Sequence, residues 1–128
     1  MLNWEKYINF SQSEFDCKCC GKLGEKMDPE FLDKIQELRT RVGFACKVNS
    51  GVRCEVNNLM SNGHKSSAHL TGNACDLGVS HSKAREVIKI AIELGLSVGV
   101  SQNGKTGRFI HLDNKPRSSG EPALFSYA

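Results

Sequence analysis

Apolar residues along the chain fall into two runs of helical period and several of alternating period. In the segment 28–43, Phe31, Ile35, Leu38 and Val42 recur at helical spacing, while Lys34, Glu37 and Arg41 lie elsewhere around the wheel. That spacing predicts an amphipathic helix with one face on a core. Asp28 reads as its N-cap, Pro29 is pre-set for the first helical position, and Glu30 suits the positive end of the helix dipole. A second helix is predicted from Ser82 as N-cap, carrying Ala84, Val87, Ile88, Ala91 and Leu94 to a terminating Gly95. Residues 47–50 read as a short strand stopped at Gly51, and residues 72–79 as another. Two further strands are expected over 96–101 and 108–113, with Asn103-Gly104 between them as a hairpin signal. The segment 53–58 reads as a helical turn or loop, and Ser61-Asn62-Gly63 as a turn. The first two dozen residues mix Trp4, Tyr7, Phe10 and Phe15 with a polar turn at 11–14 and a cysteine cluster; with no clear period they read as an irregular arm or short strand. Helix, strands, helix and terminal hairpin in that order predict an α+β fold: one domain over 1–128, a small antiparallel sheet with packed helices.

Composition narrows the class without naming a function. The 128 residues suffice for one core and not for two. With 39% hydrophobic and 24% charged residues, 12 Gly and 3 Pro, the chain is neither collagenous, nor low-complexity, nor disordered by charge. Seventeen Lys+Arg against fourteen Asp+Glu give +3. That excess falls short of the basic stripe of a nucleic-acid binder, so no nucleic-acid partner is expected. The sequence holds no apolar run of membrane-spanning length, and the amino end Met1-Leu2-Asn3-Trp4-Glu5-Lys6 lacks the basic-then-apolar order of a signal peptide. Synthesis in the cytoplasm, no membrane partner and, by default, a monomer are the expectations.

Two of the four histidines sit among residues that packing does not explain. His69 and Asp76 bracket Leu70-Thr71-Gly72-Asn73-Ala74-Cys75, and His111 lies in Phe109-Ile110-His111-Leu112-Asp113. Strand alternation puts Phe109, His111 and Asp113 on one face and Ile110 and Leu112 on the other. The same alternation gives Asp76 the small neighbours Ala74 and Gly78. Two imidazoles and a carboxylate are a sufficient ligand set for one catalytic Zn2+, which keeps a position open for water and lowers that water's pKa. On ligand type alone another first-row divalent ion is the alternative, and by spacing alone unrelated surface groups fit the trio equally well.

The stretch Ser67-Ala68-His69-Leu70-Thr71-Gly72-Asn73-Ala74-Cys75-Asp76 resembles the Ser-x-His-x-x-Gly-x-Ala-x-Asp signature of the D-Ala-D-Ala carboxypeptidase-like zinc metallopeptidases. Asn49-Ser50-Gly51-Val52-Arg53 is similar to that family's Ser-Gly-Tyr-Arg segment, and residues 109–113 to its closing His motif. The stretch 15–21 and the aromatic tail Phe125-Ser126-Tyr127 resemble a short single-domain subgroup. The resemblance implies a hedgehog-like zinc peptidase fold with His69, Asp76 and His111 as metal ligands. It implies hydrolysis of a peptide bond in peptidoglycan stem peptides, as a D,D-carboxypeptidase or an L,D/D,D-endopeptidase. A phage or prophage lysis protein, reaching the wall after release or carried in the particle, is the setting it suggests. Arg53 would bind the substrate carboxylate or steady the oxyanion, its bland alternative being a surface Arg or a structural salt bridge. Ser67 would orient substrate or a ligand, or else simply satisfy nearby loop backbone.

The match departs from the family at the general base. Many members carry Asp or Glu three residues before the last His, where this chain has Arg108. Asp113 is the expected replacement, since about 7 Å of strand separates its Cα from that of His111; its alternative role is to hold an imidazole or pair with Arg53. Glu55 is a poorer candidate. His64 reads as an exposed loop group or a rim group that meets substrate, and His81 as solvent-facing. Cys17, Cys19 and Cys20 with Cys46 or Cys54 offer a thiolate zinc site, but Cys-x-Cys-Cys lacks paired Cys-x-x-Cys knuckles. Free, partly buried thiols are the favoured state, and a disulfide the next if the protein works outside the cell. The rival to an enzyme is a non-catalytic zinc-containing wall-binding or virion structural module, which Arg108 supports.

Overall fold

The computed structural model describes residues 2–105 and 107–127. Met1, Thr106 and Ala128 lie outside that description, and with them the first residue of the amino-end reading and both limits of the 1–128 domain. The architecture is α+β, as expected. Four helices, α1 (Gln12–Phe15), α2 (Pro29–Val42), α3 (Glu55–Met60) and α4 (His81–Glu93), accompany five strands, β1 (Lys47–Ser50), β2 (Ala74–Gly78), β3 (Ser97–Asn103), β4 (Gly107–Asp113) and β5 (Leu124–Ser126), among the described residues. The sheet runs β1-β2-β4-β3-β5. Its first four strands are antiparallel, while β5 adds a parallel edge on β3 that the strand pattern does not show. No described helix is long and apolar enough to cross a membrane.

Helix α2 forms where its signals place it. The Asp28 carboxylate accepts the Phe31 N–H at 3.0 Å, satisfying one orphan donor of the first turn. Gly43 closes the other end in the left-handed region. Phe31, Ile35 and Leu38 are buried, joined by Leu32, and Val42 is half-buried. Helix α4 starts earlier than expected. Ser80 is the N-cap in place of Ser82, because the Ser80 carbonyl accepts the Ala84 N–H and opens the hydrogen-bond ladder a residue pair sooner. Ala84, Val87, Ile90 and Ala91 are its buried residues.

The amino-terminal segment is the larger correction. Among its described residues it contains no strand but short helical turns, at Trp4–Lys6, α1 and Gly24–Lys26. The aromatics in and between them pack inward: Tyr7, Phe10 and Phe15 are buried, with Phe10 and Phe15 edge to face at 5.6 Å. Aromatic spacing that fits neither period reflects side chains converging from separate turns. Strand limits also shift, with β2 shorter than 72–79 and β3 running past 96–101.

Alternation then separates core from site. On β2 and β4, Cys75, Leu77, Ile110 and Leu112 join the core with α2 and α4. Ala74, Asp76, His111 and Asp113 occupy the opposite face of the same strands. The antiparallel register sets Asp76 directly across from His111, and Ala74 across from Asp113.

Candidate active site

Three elements bring His69, Asp76 and His111 together. Asp76 and His111 come from paired positions on β2 and β4, and His69 from a 3-10 turn, Ala68–Thr71, that leads into β2. The Ser67 hydroxyl accepts the His69 N–H at 3.2 Å and so caps this turn. At its other end Gly72 has φ +77, and a Cβ there would stand 2.1 Å from the Lys26 carbonyl oxygen. Only glycine fits both demands.

The ligand atoms converge. His111 Nδ1 lies 3.0 Å and His69 Nε2 3.3 Å from Asp76 Oδ1, and the two nitrogens are 3.3 Å apart. Each ring is held from behind. His69 Nδ1 is 2.7 Å from the Gly51 carbonyl oxygen, which can only accept, so that nitrogen carries the proton. His111 Nε2 donates to Asp113 Oδ2 at 2.7 Å. Neutral rings fixed this way turn two lone pairs and a carboxylate oxygen at one point, an arrangement that a cation satisfies. These donors fit zinc in type and number, with both outward ring nitrogens anchored as zinc-binding histidines require. Burial opposes ionisation of Asp76, yet hydrogen bonds from His111 and His69 hold its carboxyl well below the usual range. Burial would lower His111, but Asp113 and Asp76 together raise it above its ordinary value.

Arg53 and Asp113 occupy different sides of this centre. Arg53 lies in the loop between β1 and α3, where its guanidinium is 3.4 Å from Asp76 Oδ2 and donates to Ser50 and Asn58. The structural ion pair held open as its alternative role is present, and Arg53 lines the cleft as well. Asp113 shares a face with His111, as strand alternation requires, and that shared face brings it to Nε2, behind the ring from Asp76 and His69. Its oxygens also take a two-pronged contact from Arg117, at 2.7 and 3.2 Å, and the Lys115 N–H. Burial works to raise Asp113, but His111 and Arg117 bring it down to about 2. Arg108 is exposed, donates to the Gln102 carbonyl and is not among the residues lining the cleft.

Around the centre lies a cleft of about 890 Å³ whose wall includes His64, Ser67, Lys115, Arg117, Phe125 and Tyr127. His64 is exposed at the rim with Nδ1 2.8 Å from the Ser66 hydroxyl; His81 is exposed on α4, and Glu55 is exposed and outside the cleft lining. Several participants carried no periodic signal. Arg117 follows the last long strand. The Gly51 carbonyl is backbone. Phe125, reached through β5, sets its ring 5.5 Å from that of His111. Gly99 makes the room, since a Cβ there would meet the Phe125 ring at 2.4 Å. Burial, then the negative charge of Asp76, push the Tyr127 hydroxyl up to about 12, so it remains a hydrogen-bond donor.

A family described as Peptidase M15 matches residues 8–113, a span that holds the three converging ligands and the three elements that present them. The chain belongs to the Peptidase M15 family. M15 members are zinc-dependent metallopeptidases in general, and the His69, Asp76 and His111 cluster is this chain's possible metal site. No curated protein matches it.

Proposed function

We propose that this M15 domain hydrolyses a peptide bond in bacterial peptidoglycan stem peptides, as a D,D-carboxypeptidase or an L,D/D,D-endopeptidase. The observation that carries the reading is the convergence of His69 Nε2, Asp76 Oδ1 and His111 Nδ1 at one wall of an open cleft. When bound there, zinc supplies Lewis acidity at the peptide carbonyl and acidifies the attacking water. Arg53 is set to hold a substrate carboxylate or the oxyanion, with Asp76 and Asn58 fixing its guanidinium. Lys115 and Arg117 also line the cleft and add positive charge, which suits the carboxylate-rich stem peptide. Ser67 holds the turn that presents His69 and lines the cleft, where its hydroxyl can meet substrate.

Proton transfer falls to one of two cleft residues. Asp113 has its oxygens engaged by His111, Arg117 and the Lys115 N–H, which favours a role in holding His111. His64, exposed on the rim, is the freer proton carrier. A rival reading, a wall-binding or virion structural module that keeps the ion without turnover, draws on Arg108 in place of an acid. Access to the wall after cell lysis, or carriage in a phage particle, fits the enzyme reading.

Purified sacculi and defined stem peptides, analysed by mass spectrometry for released fragments and free D-Ala, test the reading. Release that stops with a chelator and returns with zinc is expected; no release from either substrate by zinc-loaded protein leaves the binding module. His64→Ala with undiminished turnover would return the proton to Asp113.

A further inference from the structure

The cysteines assemble a second centre outside the cleft, and it does not depend on the peptidase reading. After α1 the chain folds back on itself: Cys17 N–H donates to the Lys22 carbonyl at 2.8 Å, and Gly21 N–H to the Cys17 carbonyl at 2.7 Å. Gly21, at φ +71, makes that reversal possible and leaves Cys17 and Cys20 side by side. Cys54, far along the chain, begins α3 as its N-cap. The sulfurs of Cys17, Cys20 and Cys54 all lie within 4.8 Å of one another.

The surrounding donors suit sulfur that carries charge. Cys17 Sγ accepts the Cys54 N–H at 3.4 Å and an Asn57 amide N–H at 3.3 Å, and Cys54 Sγ accepts the Asn57 backbone N–H at 3.4 Å. N–H groups aimed at sulfur favour thiolate over thiol. Cys17 is 1% exposed, so its sulfur faces this cluster and not water. Cys46 and Cys75, the remaining buried cysteines, are not part of it.

We propose that Cys17, Cys20 and Cys54 hold a structural zinc ion, distinct from the His69, Asp76 and His111 centre. Three soft sulfur donors at this separation select zinc over harder divalent ions, and each thiol gives up its proton to solvent on binding. Cys19 is exposed in the same turn and lies outside the three sulfurs that converge. The sequence motif conceals this because the knuckle is single: Cys17-x-x-Cys20-Gly21 supplies one half, and the other ligand comes from the head of a helix. The consequence reaches the cleft. Cys54 adjoins Arg53, and Val52 N–H already bonds the Phe15 carbonyl at 2.9 Å, so an ion here ties the amino-terminal arm to the loop that aims Arg53 at Asp76.

Cobalt substitution reads the proposal without any activity. The full chain, purified under reducing, oxygen-free conditions and stripped of metal, is titrated with cobalt as wild type and as His111→Ala. Both are expected to show the intense near-ultraviolet band of thiolate-to-cobalt charge transfer, which imidazole and carboxylate ligands do not give, and zinc should bleach it. Cys20→Ser, at an exposed position that folding tolerates, should weaken cobalt binding at least about tenfold, and Cys54→Ser likewise, while Cys46→Ser leaves the band intact. Absence of the band in wild type, or a band unchanged in both Cys20→Ser and Cys54→Ser, overturns the proposal. So does a mass two hydrogens short under these conditions, which would mark a disulfide.

Discussion

Asp113→Ala removes the acceptor of the His111 Nε2–H and the partner of Arg117 in one step. The carboxylate is 1% exposed, so water does not replace it at His111, whereas the Arg117 side chain is 24% exposed and regains solvation. Removing one partner of a buried ion pair costs about 3–5 kcal/mol, and the exposure of Arg117 puts the expectation at the lower end, about 3 kcal/mol. The freed imidazole also loses its orientation. A carboxylate behind a zinc-binding histidine is typically worth about 10–100-fold in metal affinity. Asp113→Asn keeps an oxygen for the Nε2–H and should hold zinc within about tenfold of wild type. Urea unfolding gives the first quantity, and competition with a chromophoric chelator the second. An Asp113→Ala protein with unchanged stability and zinc affinity would refute the assignment. An Asp113→Asn protein that binds zinc normally yet hydrolyses nothing would make Asp113 the proton acceptor.

Three further outcomes follow from the geometry. In metal-free protein His111 is raised above 6.5, so its proton stabilises the fold fully below that value and the contribution fades as pH rises through the raised one. Zinc competes with that proton, and chelator competition across about pH 5 to 8 should show affinity falling on acidification from above 6.5; a fall that begins only below 6.5 would contradict this. Gly72→Ala combines a left-handed φ with a Cβ 2.1 Å from the Lys26 carbonyl oxygen and should cost about 2–4 kcal/mol in urea unfolding, a loss under about 1 kcal/mol being incompatible with that contact. Arg53→Ala should lower kcat/KM on stem peptides by about 10²–10³-fold with zinc retained, and Arg53→Lys should recover part of it; undiminished turnover would leave Arg53 only its ion pair with Asp76.

Local signals placed helix α2 because their cause is local. Asp28, Pro29 and Gly43 act on the backbone within a turn, and a 3.6-residue period places Phe31, Ile35 and Leu38 on one face whatever they pack against. Strand alternation likewise determined that His111 and Asp113 share a face opposite Ile110 and Leu112. The motif from Ser67 to Asp76 carried the family. The weakest reading was the amino-terminal one, where Trp4, Tyr7, Phe10 and Phe15 come from short turns and the links between them and have no common period to read.

Closure of the sheet decided the rest. The register that pairs Asp76 with His111 joins residues 35 positions apart, and no local preference encodes it. That register, with the Gly51 carbonyl behind His69, turns Nε2 of one ring and Nδ1 of the other inward. It also sends Asp113 behind His111, where Arg117 meets it, a partner that the spacing along β4 alone does not show. Cys54 rather than Cys46 joins Cys17 for the same kind of reason: Val52 bonds the Phe15 backbone and carries the start of α3 to the arm. Side-chain types and faces follow from forces acting within a few residues, whereas the direction in which a ring nitrogen or a sulfur points depends on contacts between segments that only the packed chain brings together.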